Sequence, residues 1–358
     1  MKAALPQKNN RIKSLQKRLA ASDLDACLIE SSVDLLYFTG LQLSAGKLLV
    51  HKAAALLLVD GRYFQVAKEK AEMPVAPDTA GEVAAFCQKN RVKCLGFDAG
   101  HTTYDQFLGL KQSLKKGGVQ AKLEPSSAFF KLCRLIKSPD EIALMKKSAK
   151  LAWKGFLFLQ SLLKTGITEK EMARSFEIFC LEQGADKLGF DPIIAFGKAS
   201  AMPHYRPGNA RLKEGDLVLI DIGVVLNHYH SDMTRVLFYK KEDPYLAKLY
   251  AITKKAQANA LKLCRPGVKL KELDLAARSV MAKEKVEELF VHNLGHGIGL
   301  QCHEFPRISS KGEDRECVLE EGMAITIEPG LYVPGKGGVR YEDTVIITKT
   351  GHTNFYTL

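Results

Sequence analysis

None of the eight cysteines forms a Cys-x-x-Cys pair, which excludes a zinc ribbon or a thioredoxin-type redox site. They are instead expected to be reduced, mostly buried small apolar residues. Long apolar runs are missing too. The longest, Leu48 to Val59, is interrupted by His51 and Lys52 and falls short of the roughly 20 residues a membrane-spanning helix needs. The first residues, Lys2 to Arg18, are polar and basic with no apolar signal region behind them, so a cytoplasmic chain without membrane attachment is expected. A dense basic block interleaved with aromatics is likewise absent. The net charge of +12 is spread over scattered lysines, so a solvated surface is expected and nucleic acid is not the expected partner.

What remains is an ordinary globular composition, 46% hydrophobic and 26% charged over 358 residues, enough for two domains. Residues 10–21 have helical spacing, with Ile12, Leu15 and Leu19 on one face. Asp25 to Glu30, Ala53 to Val59 and Cys94 to Phe97 are expected strands. Their alternation with helices predicts a small N-terminal α/β domain over 1–137. Ser138-Pro139-Asp140-Glu141 then opens a helix, with a capping serine, proline at the first helical position and a glutamate that can close a capping box. Trp153, the sole tryptophan, lies on this helix and is assigned to packing.

The second domain, 138–358, contains an internal repeat. Leu212 to Gly223 and Leu319 to Gly330 share five of twelve columns and carry an acid, Asp221 or Glu328, at the same place. Gly166-Ile167-Thr168 and Gly267-Val268-Lys269 each precede a helix. Two copies are too few for a solenoid and imply one α+β domain of two similar halves.

Carboxylates recur around two expected hairpins. A turn near Leu226-Asn227-His228 would set Asp221 opposite Asp232, and a loop around Gly335 would set Glu328 opposite Glu342. Facing carboxylates about 5 Å apart repel unless a proton or cation lies between them. His296, between Gly295 and Gly297, adds an imidazole where the backbone can approach closely. Four carboxylates and one histidine suit manganese, iron, cobalt or zinc. Bridging carboxylates would hold two such ions about 3.5 Å apart. His204 and His303, each upstream of a repeat copy, could stabilise an oxyanion. His51, His101, His228, His230 and His352 are assigned to surface or packing, and Cys302 to a buried strand position.

These residues resemble the pita-bread metallopeptidases, in their aminopeptidase P and prolidase branch. The resemblance runs through Phe190-Asp191-Pro192, Met202-Pro203-His204-Tyr205, Ser231 to Arg235, Gly295 to Leu300, His303 to Arg307, Ile327 to Gly330 and Val339 to Asp343. In the first domain it rests on Tyr37 to Gly40 and Asp60 to Tyr63. It implies Asp221, Asp232, His296, Glu328 and Glu342 as ligands of two divalent metal ions, most often Mn2+, and a homodimer. It also implies cleavage of the bond before a proline at the second position, of the aminopeptidase P type, with Xaa-Pro dipeptidase (prolidase) as the alternative. A non-catalytic binding protein on the same scaffold is a further alternative. Within that mechanism Glu328 shuttles a proton, His303 and His204 support the oxyanion, and His292 shapes the proline pocket. Arg307 is a candidate for a substrate carboxylate. Arg340 is placed in the substrate pocket, holding an acid or Tyr332.

Overall fold

The computed structural model describes residues 8–356. The chain divides between Arg134 and Leu135 into two compact units. Among its residues no helix is long and apolar enough to cross a membrane.

The first unit runs α1 (Lys8–Ala20), β1 (Ala26–Ile29), α2 (Ser32–Thr39), β2 (Lys47–His51), β3 (Ala54–Val59), α3 (Phe64–Lys70), β4 (Val75–Pro77), α4 (Glu82–Lys89), β5 (Cys94–Phe97), α5 (Tyr104–Lys116), β6 (Lys122–Pro125) and α6 (Ser127–Lys131). Its mixed sheet has the order β4-β3-β2-β1-β5-β6. The interrupted apolar run is a hairpin: His51 pairs with Ala54 and Lys47 with Leu58. The turn is Lys52 and Ala53, with His51 ending β2, so β2 is a strand that the sequence pattern alone does not separate from β3. Leu28, Leu49, Leu58 and Leu95 build the core under α4 and α5.

The second unit runs α7 (Pro139–Ser161), α8 (Glu169–Glu182), β7 (Lys187–Leu188), β8 (Ile193–Phe196), β9 (Leu217–Ile222), β10 (Val224–Leu226), β11 (Tyr229–His230) and β12 (Met233–Phe238). It continues with α9 (Pro244–Leu261), α10 (Leu270–Lys283), β13 (Gly295–Gly297), β14 (Glu304–Ile308), β15 (Ala324–Ile327), β16 (Gly330–Val333), β17 (Gly337–Arg340), β18 (Asp343–Ile347) and β19 (His352–Asn354). The start of α7 carries the expected capping box between Ser138 and Glu141, with Pro139 in the first turn.

The repeat is visible in the backbone. Gly166 N–H donates to Leu212 O at 2.8 Å and Leu212 N–H returns to Ile167 O at 2.9 Å. In the second half Gly267 N–H donates to Leu319 O at 2.9 Å and Leu319 N–H to Val268 O at 2.8 Å. The strand orders β12-β9-β8 and β18-β15-β13 also correspond.

Each expected long strand is broken in the middle. The first hairpin breaks at Gly223 and at Ser231-Asp232. The second breaks at Glu328-Pro329 and at Tyr341-Glu342. At each break the chain leaves one sheet for another, and the acids stand at or beside these breaks. A carboxylate there faces the junction between sheets.

Candidate metal centre

The first hairpin differs from its expected register. Leu226 pairs with Tyr229, so the turn is the two residues Asn227 and His228, with φ of 50° and 72°. That left-handed pair is the two-residue turn that matches strand twist. Its centre lies one residue beyond the expected point. Asp221 therefore faces Thr234, not Asp232, which lies level with Gly223. A shift of two residues preserves the face of a strand, so both acids still reach the same cluster. In the second hairpin Ile327 pairs with Asp343 and Gly330 with Arg340. Glu328 and Glu342 thus stand across from each other.

His296 is brought in by β13. Its flanking glycines are required by backbone contact rather than by a ligand: a Cβ would lie 2.0 Å from Thr326 O at Gly295 and 2.3 Å from Phe305 O at Gly297. His296 N–H donates to Thr326 Oγ1 at 3.1 Å. Its Nδ1 lies 3.0 Å from Gly297 O, which places the ring proton there. Nε2 is left facing Asp232 Oδ2 at 3.7 Å and Glu328 Oε1 at 3.5 Å. Burial and the nearby His303 lower the pKa of His296 to about 4, so it presents a neutral nitrogen, the form that ligates metals.

Ligand atoms of Asp232, His296 and Glu342 lie within 4.8 Å of one another. Burial first, and then the other acids, push Asp232 and Glu328 well above the usual carboxylate range. Burial and Asp221 push Glu342 up to about 8. Asp221 Oδ1 is buried without a hydrogen-bond partner, while its other oxygen accepts from Arg340 Nη2. An orphaned buried carboxylate oxygen among mutually repelling acids is unfavourable as it stands. Divalent cations resolve both problems, and the oxygen-rich donor set with one imidazole fits them.

The supporting atoms are specific. Thr234 Oγ1 donates to Glu342 Oε2 at 2.7 Å, and Thr344 Oγ1 to Asp232 O at 3.0 Å. Arg235 reaches Glu342 O and Asp343 Oδ1, both at 2.6 Å. Arg340 donates to Asp221 and, at 2.6 Å, to Tyr332 Oη. Tyr332 Oη in turn lies 3.0 Å from His292 Nε2.

The remaining imidazoles gather at one side. The His303 ring centroid is 4.2 Å from that of His296. Burial, followed by the neighbouring His204, lowers the pKa of His303. Burial and Arg340 lower that of His292 to about 3, with His204 adding to the effect. Arg307 is exposed on β14, across from His296 in the register.

Cys302 departs from expectation. It sits in the loop before β14, not in a strand, and its Sγ donates to Asp232 Oδ2 at 3.2 Å. Thr234, inside the Ser231 to Arg235 stretch, carries no sign of its role in residue type or spacing. Only the register shows that its hydroxyl reaches Glu342.

The broken double hairpin and its clustered acids, with a possible metal site at Asp232, His296 and Glu342, are the features of a metal-dependent hydrolase of pita-bread architecture. Residues 143–349 match metallopeptidase family M24, and residues 11–136 match the Creatinase/Prolidase N-terminal domain. The chain is 36% identical to the Xaa-Pro dipeptidase of Pyrococcus furiosus over 95% of its own length and 96% of that protein. The prolidase structure from Pyrococcus horikoshii OT3 superposes with a TM-score of 0.87 at 35% identity, covering 97% of this chain and 98% of the other. The Xaa-Pro dipeptidase structure from Bacillus anthracis gives 0.91 at 30% identity, covering 98% of each. The chain therefore belongs to metallopeptidase family M24, in its aminopeptidase P and prolidase branch, and is a metal-dependent peptidase.

Proposed function

We propose that the chain is an Xaa-Pro dipeptidase. The observation that carries this is the cluster of buried Asp221, Asp232 and Glu342 with half-buried Glu328, in which Asp232 and Glu328 face His296 Nε2 and one Asp221 oxygen is unpartnered. The choice of dipeptidase over aminopeptidase P is supported by the relatives bearing that name along nearly the whole chain.

In this reading Asp221, Asp232, His296, Glu328 and Glu342 hold two divalent cations, most suitably manganese. When bound, these ions polarise the scissile carbonyl and make water nucleophilic near neutral pH. Glu328 takes a proton from water and passes it to the leaving imino nitrogen of proline. His303, kept neutral by its surroundings, donates an N–H to the developing oxyanion. His204 and His292 border the proline ring, and Arg340 orients Asp221 through its hydrogen bond. Arg307 meets the substrate carboxylate.

The test compares an Xaa-Pro dipeptide with an Xaa-Pro-Yaa tripeptide, using manganese-loaded protein. The dipeptide is expected to be the better substrate by kcat/KM. Cleavage of the tripeptide with the dipeptide left intact would move the chain to the aminopeptidase P type.

A further inference from the structure

We propose that Lys137 is a positioning residue for hydrolysis, acting through Glu304 on the loop that carries His303. This rests on the role given to His303 above.

Lys137 Nζ lies 3.1 Å from Glu304 Oε2, and the two side chains are only 2% and 4% exposed. An ion pair so deeply buried gains little stability over well-packed apolar residues, because desolvation offsets its attraction. Its value lies in fixing one arrangement, and the surroundings show which. Glu304 Oε1 accepts the N–H of Gln301 at 3.1 Å, so the glutamate clasps its own loop. Within that loop Gly299 N–H donates to Gln301 O at 3.0 Å. Gly299 is also held tight: a Cβ there would meet Glu304 Oε2 at 2.8 Å and Lys137 Cε at 3.0 Å. The same loop presents Cys302 to Asp232 and His303 to the face of His296.

The lysine is itself anchored. Its N–H donates to Gly322 O at 2.8 Å, next to the bridge between Ile136 and Met323. The following residue, Ser138, caps α7. The ammonium thus links a fixed point of the scaffold to the short loop that aims the His303 imidazole. A displacement of about 1 Å in such a group is enough to cost on the order of a hundredfold in rate.

The experiment is a mutant cycle on an Xaa-Pro dipeptide with metal content and thermal melting measured for every variant. Lys137→Met is expected to lower kcat about tenfold or more while KM changes less than about threefold, and His303→Ala to lower kcat about a hundredfold. Residues that act as a unit give non-additive losses. His303→Ala is therefore expected to cost only about tenfold on the Lys137→Met background, leaving the double variant no slower than His303→Ala alone. If the two losses simply multiply, Lys137 does not act through His303 and the inference fails. Should Lys137→Met not fold, the cycle is run on Lys137→Met/Glu304→Gln, which removes both charges together. Wild-type kcat in that double variant would also overturn the inference. A His303→Ala variant with unchanged kcat would instead sink the proposed role of His303, a result distinguishable from either of these.

Discussion

At the scale of single residues, the acids and the imidazole are held by neighbours that leave specific atoms free. Thr234 occupies one oxygen of Glu342, Arg340 one oxygen of Asp221, and Gly297 O one nitrogen of His296. The atoms left over are those that would meet cations. Cys302 is the one thiol drawn into this set, as a donor to Asp232. Burial and the acids hold its thiol well above its usual pKa, so it is a poor nucleophile. Cys302→Ala is expected to retain turnover within about tenfold, since a single neutral hydrogen bond is worth about 1 kcal/mol. Loss of all activity, measured at equal metal content, would show that the thiol takes part in the chemistry. The four acids and the imidazole proposed as ligands could be singled out from residue type and spacing. Their supports could not, because Thr234, Cys302 and Lys137 become meaningful only once strands and loops from distant positions are paired.

At the scale of elements, breaks in the strands explain why the acids converge. The largely apolar run Leu217 to Val225 predicts one continuous strand, yet Gly223 packs where a Cβ would lie 2.2 Å from Ser231 O. That close approach ends β9 and begins β10. Periodicity cannot reveal it, since both segments are apolar apart from Asp221. The error in the first register has the same origin. A turn of Asn227 and His228 is set by two left-handed residues, neither of them glycine, so the usual turn signature is missing. The second hairpin announces itself through Pro334-Gly335-Lys336, and its register is the one expected. Helix packing gives a further test. Gly155 on α7 faces the buried Phe176 of α8, where a Cβ would sit 2.5 Å from Cε2. Propensity alone favours alanine in a helix by roughly 0.5–1 kcal/mol, but overpacking a filled core costs about 1–3 kcal/mol. Gly155→Ala is therefore expected to destabilise the protein in urea denaturation. A raised midpoint would show that the α7–α8 contact is looser than described.

At the scale of the whole molecule, the clustered acids couple metal binding to stability. In metal-free protein, Asp232, Glu328 and Glu342 are harder to ionise folded than unfolded. Below the ordinary values, 3.8 for Asp232 and 4.5 for the two glutamates, all three are protonated in both states and no penalty arises. As pH rises the unfolded chain loses these protons first, so stability falls until the folded groups ionise, at about 8 for Glu342. Chelated protein is expected to melt at a lower temperature at pH 8 than at pH 5.5. Divalent ions, which bind the ionised ligands of the folded state, should restore the loss at pH 8. A chelated protein equally stable at both values, with no response to ions, would place these carboxylates in contact with solvent.

The central claim, that five side chains from two broken hairpins and β13 hold two cations for peptide hydrolysis, is tested most directly by calorimetric titration of the chelated chain with Mn2+. Two ions are expected per chain, with hydrolysis of an Xaa-Pro dipeptide returning as they bind. Glu342→Gln should lose at least one ion and the activity with it. A folded chain that takes up no ion, or that cleaves the dipeptide equally well in excess chelator, would contradict the account.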